Sequence, residues 1–251
     1  IGQISDRLRD EIEKNNPILT KTKATRIDHE DFHIKNVVGQ SYDNIYRIGG
    51  LEFISSIPLT NLIQMLIPAP PEDILKAASQ LRYRDIVVVT IMLHREKVTD
   101  NTWIYLPEKK IPMGRIHEPR NWYPNAAPKG QTHLVSEYFC FRGDKIWNLS
   151  EENLTSLTVE HLEELGFINS SEVIDSCVVR ATNAYPVFEV GYWDHYHKIL
   201  KYLKRFKNLH IIGRGGMFKY YNMDHAMESG INVAEDILRR QLTERKRHIY
   251  L

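Results

Sequence analysis

Residues 208–230 constrain this chain more than any other stretch. Asn208-Leu209-His210-Ile211-Ile212 is a short, mostly apolar run that enters Gly213-Arg214-Gly215-Gly216 without a spacer. A polar and aromatic loop follows, Met217 to Asn222, and Met223-Asp224 opens a helical pattern. Strand, glycine turn and helix in that order set backbone N–H groups and a helix N-terminus at the carboxyl end of a strand. Ligands with phosphates or polar ring edges dock at such places in open α/β sheets. The segment reads as a site builder for a nucleotide-type cofactor.

The glycines do not make the usual dinucleotide fingerprint. Gly213-Arg214-Gly215 starts like GxGxxG, but the sixth position is Phe218, and a long helix follows where a second strand with an acidic end belongs. An ordinary strand-to-helix turn, with glycine present only for positive φ, explains the local pattern equally well.

A wider resemblance favours the first reading. Gly213-Arg214, four residues, then Lys219-Tyr220-Tyr221-Asn222-Met223 resembles the C-terminal flavin-contacting motif of the FAD-dependent amine oxidase superfamily. It is especially similar to the branch of UDP-galactopyranose mutases and protoporphyrinogen-oxidase-like proteins, where the run reads Gly-Arg, four residues, Lys/Arg-Tyr-x-Asp-Met. Asn222 replaces that aspartate, and an amide can still hydrogen-bond a ribityl hydroxyl. Ile54 to Leu59 resembles the strand leading out of the flavin domain, and Leu81 to Thr90 the first substrate-domain strand. Tyr185-Pro186 with Tyr192 resembles the run before the last helix and strand, and Gly2 to Ile12 the helix before the third strand of the flavin domain. The likeness covers nearly all 251 residues.

The resemblance implies FAD as cofactor, contacted by Gly213, Arg214, Gly215, Gly216, Asn222, Met223 and Asp224. The family's first strand–GxGxxG–helix unit does not occur in these residues. The chain is therefore expected to be the C-terminal portion of a longer flavoprotein, holding FAD weakly or not at all by itself. The implied fold is α/β plus α+β: a partial FAD-binding Rossmann-like domain, first βαβ unit missing, with an inserted, mainly antiparallel β-sheet substrate domain flanked by helices. Residues 1–57 and 206–251 form the first domain and 58–205 the insertion.

Composition is that of a globular chain: 42% apolar and 26% charged residues. The net charge, 33 − 32 = +1, gives no support for nucleic-acid binding. The basic cluster Arg239-Arg240 to Arg245-Lys246-Arg247-His248 suits a solvated helix C-terminus, and the charged tail after Leu242 is expected to fray. Cys140 and Cys177 form no CxxC pair, which argues against a disulfide framework or zinc site and suits a reducing, cytoplasmic setting. The longest apolar run, residues 86–93, is far short of the ~20 residues of a membrane span.

Along the chain, residues 5–14 read as an amphipathic helix with Leu8 and Ile12 one turn apart, and residues 18–28 as a strand. Residues 44–57 read as a β arm, 62–66 as a short helix, and Pro70-Pro71-Glu72-Asp73 as the start of another. Strands follow at 86–93, 102–106, 113–116, 133–141 and 173–181. Ser150 caps a helix that ends at Gly166, and residues 192–206 form a further helix. The last helix carries Ala226, Met227, Gly230, Ile231, Ala234, Ile237 and Leu238 at helical spacing, with Ala226 and Gly230 small enough for close packing.

Arg214 is the candidate catalytic cation, able to stabilise an anionic reduced flavin or a substrate phosphate; a surface arginine paired with a carboxylate is the plainer alternative. Tyr220 is the second catalytic candidate: it aligns with a mutase tyrosine that meets a sugar-nucleotide diphosphate, and equally fits a half-buried aromatic. Met223 and Asp224 offer helix N-terminal amides, while Asn222 or Asp224 also suits a cap. Arg115, Trp122, Tyr123, Arg180 and Tyr185 are candidate lining of a substrate pocket, arginines suiting acidic groups; sheet-packing aromatics are the alternative. His195-Tyr196-His197 points two imidazoles to different helix faces, no HExxH occurs, and no metal is expected. No GxSxG elbow supports a hydrolase.

Three functions remain: an FAD-dependent oxidoreductase acting on a small molecule, a mutase acting on a nucleotide sugar through reduced flavin, and a folded fragment without cofactor. A homo-oligomer is left open.

Overall fold

A computed structural model describes residues 2–249, with side chains through Leu242. In chain order the elements are α1 Gly2–Glu13, β1 Lys23–Glu30, β2 His33–Gln40, β3 Ile45–Gly49, β4 Phe53–Ser55, α2 Leu59–Met65, β5 Leu66–Ile67, α3 Glu72–Ser79, β6 Arg82–Leu93, β7 Ile104–Tyr105, β8 Arg115–His117, β9 Thr132–Cys140, α4 Lys145–Asn148, α5 Glu151–Glu164, β10 Val173–Val187, α6 Tyr192–Leu203, β11 Leu209–Ile211, α7 Gly213–Gly216 and α8 Met223–Ile249. They divide into two compact units, residues 1–81 with 189–251, and residues 82–188.

The first unit holds a mixed sheet in the order β3-β2-β1-β5 and a separate parallel pair, β4 with β11. Strands β1, β2 and β3 run antiparallel, and β5 joins β1 in parallel. The β1–β2 hairpin turns at Asp31 and Phe32, both at positive φ. That is the conformation of a two-residue hairpin loop, here without the glycine it usually takes. Phe32 is held in it by Arg205, whose guanidinium lies 3.7 Å from the ring centroid, and by the edge of Phe206 at 5.3 Å. Buried Asn208 ties the two sheets: its Oδ1 accepts from the Ile34 N–H at 2.8 Å, and its Nδ2 donates to the Ile34 and Leu51 carbonyls. Strand β2 has no counterpart in the sequence reading, which ended its strand near Asp28.

The boundaries of the units differ from those expected. Helices α2, α3 and α6 were placed in the insertion, but α3 packs on α6, and α2 on α3 and β1. Apolar residues on these helices, Leu62, Ile63, Ala77 and Ile199, are buried, so they belong to the first unit.

The second unit is one antiparallel sheet, β10-β6-β9-β8-β7. Alternate residues of β6 and β9, Val87, Val89, Ile91, Leu134, Tyr138 and Cys140, pack with Leu154 and Leu162 of α5. This is period-2 alternation with one face on a helix. The Tyr138 hydroxyl lies 2.7 Å from Thr158 Oγ1 of α5.

Two expectations about helix faces change. Helix α1 forms, but none of its residues is buried, and Ile4, Leu8 and Ile12 are exposed. In α8 the inward positions are Ala226, Ser229, Gly230, Val233 and Ile237, whereas Met227, Ile231 and Leu238 are exposed. Spacing alone gave both sets a helical period; the packing selects the face with Gly230, where an added Cβ would touch the Ile212 side chain at 3.8 Å. The expected fraying after Leu242, and the 245–248 half of the basic cluster, lie outside the described side chains. No helix among the described residues is long and apolar enough to cross a membrane.

Candidate functional site

Strands β4 and β11 pair in register Phe53 with Leu209, Ile54 with His210 and Ser55 with Ile211, and the Ile212 N–H adds a further bond to the Ser55 carbonyl at 2.9 Å. The chain then turns sharply. Gly213 sits at φ +70°, where a side chain is strained. Gly216 is buried against the end of β4: a Cβ there would lie 2.9 Å from the Ser55 carbonyl oxygen. These two glycines bring the turn onto the strand end.

The turn is fixed from several sides. The Gly213 N–H donates to Ser229 Oγ at 2.9 Å, and that hydroxyl donates to the Ala226 carbonyl at 2.6 Å, which locks the turn to α8. Arg214 Nε donates to the Tyr221 carbonyl at 2.6 Å, spanning the loop, and its guanidinium lies 5.4 Å from the Tyr220 ring centroid. The Tyr196 hydroxyl of α6 donates to the Met217 carbonyl at 2.9 Å. Phe218, at φ 48°, is buried.

The Asn222 carbonyl accepts from the Ala226 N–H at 3.0 Å, the first bond of α8. The N–H groups of Met223, Asp224 and His225 fall in the first helical turn, where no intrahelical acceptor exists, and all three residues are exposed. Gly213, Arg214, Gly215, Gly216, Tyr220, Asn222, Met223 and Asp224 thus lie on one continuous turn that presents helix N-terminal donors beside an arginine. Such a set suits an anion or the carbonyl edge of a polar ring. The Gly213 amide is not among the available donors, because Ser229 already takes it.

In the second unit the structure brings Arg115, Tyr185 and Trp122 to one sheet face. The Arg115 guanidinium lies 3.4 Å from the Tyr185 hydroxyl, pairs with the Glu137 carboxylate directly across the β8–β9 ladder, and stacks 4.2 Å from the Trp103 ring centroid. Trp122 packs 4.9 Å from Trp103 and 5.4 Å from His117, and Tyr123 is exposed. Burial works against the Arg115 charge, but Glu137 and Tyr105 together outweigh it and raise its pKa. The His117 imidazole is pushed down to about 4 by burial first, then by Arg115 and His133.

Arg180 does not join them. It pairs with Val87, and Val87 with Tyr138, whereas Arg115 pairs with Glu137, and Glu137 with Val88. Residues opposite one another share a face and neighbours alternate. Arg180 therefore sits on the α5 side, donating to the Trp147 and Leu149 carbonyls. Sequence reasoning missed Trp103, His117 and Glu137. The spacing of Arg115 and His117 on one strand face was available; Glu137 required the register. Among the described residues no group of three or more His, Cys, Asp or Glu is placed to hold a metal.

A family model described as flavin containing amine oxidoreductase matches residues 1–238. Among solved structures, a reduced UDP-galactopyranose mutase superposes with a TM-score of 0.74 at 18% identity, covering 91% of this chain and 49% of that one. A provisionally assigned protoporphyrinogen oxidase from Exiguobacterium sp. 255-15 gives 0.69 at 16%, covering 92% and 50%. Wild-type putrescine oxidase bound to putrescine gives 0.65 at 13%, covering 94% and 52%. At such identities the likeness shows the fold alone, and the chain spans about half the length of these structures. No curated protein matches it.

Proposed function

This chain belongs to the family of flavin containing amine oxidoreductases, and from that premise we propose that it is the C-terminal portion of an FAD-dependent oxidoreductase acting on a small molecule. The observation that carries the reading is the turn over residues 213–224, where a glycine bend on the end of β11 leads into the first turn of α8, whose residues Met223, Asp224 and His225 are exposed, while Arg214 is held on the Tyr221 carbonyl just before it.

The donor set fits a flavin. The Met223 and Asp224 N–H groups suit a carbonyl oxygen of the isoalloxazine ring, and the helix dipole favours negative charge there. Arg214, held through its Nε, keeps a cation in a fixed place. Asn222 suits a ribityl hydroxyl. Gly213 and Gly216 contribute shape, since a side chain at either is strained or blocked. When bound, FAD supplies a two-electron acceptor for a C–N or C–C bond. The protein's part is to bind the ring edge, hold its orientation and place the substrate. Within the second unit we assign Arg115, Trp122 and Tyr185 to substrate binding; Arg180, bonded on the helix side of its sheet, drops from that set. Tyr220 stays with Arg214 on the turn.

A second reading, a nucleotide-sugar mutase, is supported by the Gly213-Arg214 to Lys219-Tyr220-x-Asn222-Met223 spacing. One experiment separates the readings. The full-length protein is purified, its visible spectrum recorded, and UDP-galactopyranose added with and without dithionite. A flavin spectrum with no ring contraction supports the oxidoreductase; contraction only after reduction supports the mutase; a colourless protein that takes up no added FAD overturns both. The 251 residues alone are expected to bind added FAD weakly, because the family's strand–GxGxxG–helix unit does not occur in them.

A further inference from the structure

The cluster around His117 has features that a packing role leaves unexplained. Strand β8 places Arg115 and His117 on one face, and the β9 register sets Glu137 beside both. His117 Nδ1 is buried 3.6 Å from Glu137 Oε1 without a hydrogen bond, and Arg115 Nε is likewise buried and unpaired. His117 Nε2 makes no hydrogen bond to any described residue. The imidazole packs against Trp103 at 4.5 Å and Trp122 at 5.4 Å. Both indoles are roughly half exposed, 42% and 47%, although each is large and apolar. Hydrogen bonds tie the segments bearing them together: Asn121 Nδ2 donates to the Thr99 and Asn101 carbonyls, and buried Glu118 accepts from the Val98 and Thr99 amides. Exposed tryptophans on a hydrogen-bonded frame beside unpaired polar atoms are what a binding site offers.

We propose that His117, backed by Glu137, accepts a hydrogen bond from an uncharged, hydroxyl-bearing ring that lies on the exposed faces of Trp103 and Trp122. The charges select that class. Arg115 and Glu137 neutralise each other, so an anionic ligand would have to break a buried ion pair to reach the guanidinium. A cation meets the guanidinium already stacked on Trp103. Burial keeps the imidazole neutral at pH 7. With the proton on Nδ1, facing Glu137, Nε2 is left as an acceptor for a hydroxyl. Arg115 thus becomes a positioning residue that orients Glu137, and the site discriminates against the acidic groups an arginine would suggest.

The inference rests on the assignment of Arg115, Trp122 and Tyr185 to the substrate, but it needs no flavin. Its test is therefore read on flavin-free protein, where failure of the flavin reading has no effect. The probes are three rings of one shape: methyl β-D-glucopyranoside, glucuronate and glucosamine. Binding is followed by saturation-transfer NMR and tryptophan emission at pH 7. The neutral ring is expected to bind at least about tenfold tighter than either charged one. His117→Phe should weaken it about tenfold, His117→Gln, which keeps an acceptor, by less than about threefold, and the surface change Trp122→Ala about tenfold. Equal or tighter binding of a charged ring overturns the proposal. So does an unchanged affinity in both His117→Phe and Trp122→Ala, or no binding of the neutral ring by the wild type.

Discussion

Gly216 is a position where one added methyl group should damage the candidate site by backbone overlap alone. Its Cβ would lie 2.9 Å from the Ser55 carbonyl oxygen, 3.4 Å from Ser56 Cα and 3.5 Å from the Ile57 carbonyl oxygen. All three neighbours are backbone, so no rotamer change relieves them, and α7 must lift off the end of β4. Overpacking of this kind costs about 1–3 kcal/mol. Replacing glycine by alanine in a helical turn returns about 0.5–1 kcal/mol. The balance for Gly216→Ala is a loss of about 1–2 kcal/mol. Gly215 is the control, because its nearest contacts are 3.4 Å to the Ser56 carbonyl oxygen and 3.6 Å to Pro58 Cα. Gly215→Ala should fall within about 0.5 kcal/mol of wild type. Gly213→Ala, forced to φ +70°, should lose about 1–2 kcal/mol by backbone strain alone. Urea unfolding of the chain gives the three values at one pH. The reasoning fails if Gly216→Ala is as stable as the wild type, or if Gly215→Ala is the worst of the three.

Two further predictions concern the second unit. Glu118 is fully buried and accepts from the Val98 N–H at 3.1 Å, the Thr99 N–H at 2.9 Å and the Thr132 hydroxyl at 2.6 Å; Glu118→Gln turns a donor toward these donors and should cost about 2–4 kcal/mol in urea unfolding, and a cost under about 1 kcal/mol would contradict the account. His117 has a folded pKa near 4 against 6.5 for an ordinary imidazole, so the unfolded chain takes up a proton that the folded one refuses, and stability falls as pH drops from about 6.5 to about 4. The full gap corresponds to about 3 kcal/mol, and solvent at the ring edge reduces it to about 1.5 kcal/mol. His133, also lowered by burial, acts in the same sense. In His117→Gln the His117 part should vanish, and an acid-induced loss identical to that of the wild type counts against it.

Several elements are legible from neighbouring residues alone. Ser150 caps α5, its hydroxyl accepting from the Asn153 N–H, and Gly166 ends that helix at φ +75°. Strand β6 forms over the β-branched run that predicts it. These features depend on residues within a turn or two of one another, where propensity and capping act. Strand β2 escaped because its hairpin turns on Asp31-Phe32, and the positive φ of Phe32 is held by Arg205 and Phe206 from far along the chain. The placement of α2, α3 and α6 escaped because an amphipathic helix does not state which surface it covers.

The candidate site divides along the same line. The order of strand, glycine bend and helix start over residues 208–224 was fixed by neighbours in the sequence, because positive φ, N-terminal amides and the reach of Arg214 to Tyr221 are all local. Tertiary structure alone decided that Ser229 consumes the Gly213 amide, that Glu137 neutralises Arg115, and that Arg180 lies on the opposite face. Those outcomes depend on strand register and helix face, which a shift of one residue reverses and which only the packed core selects.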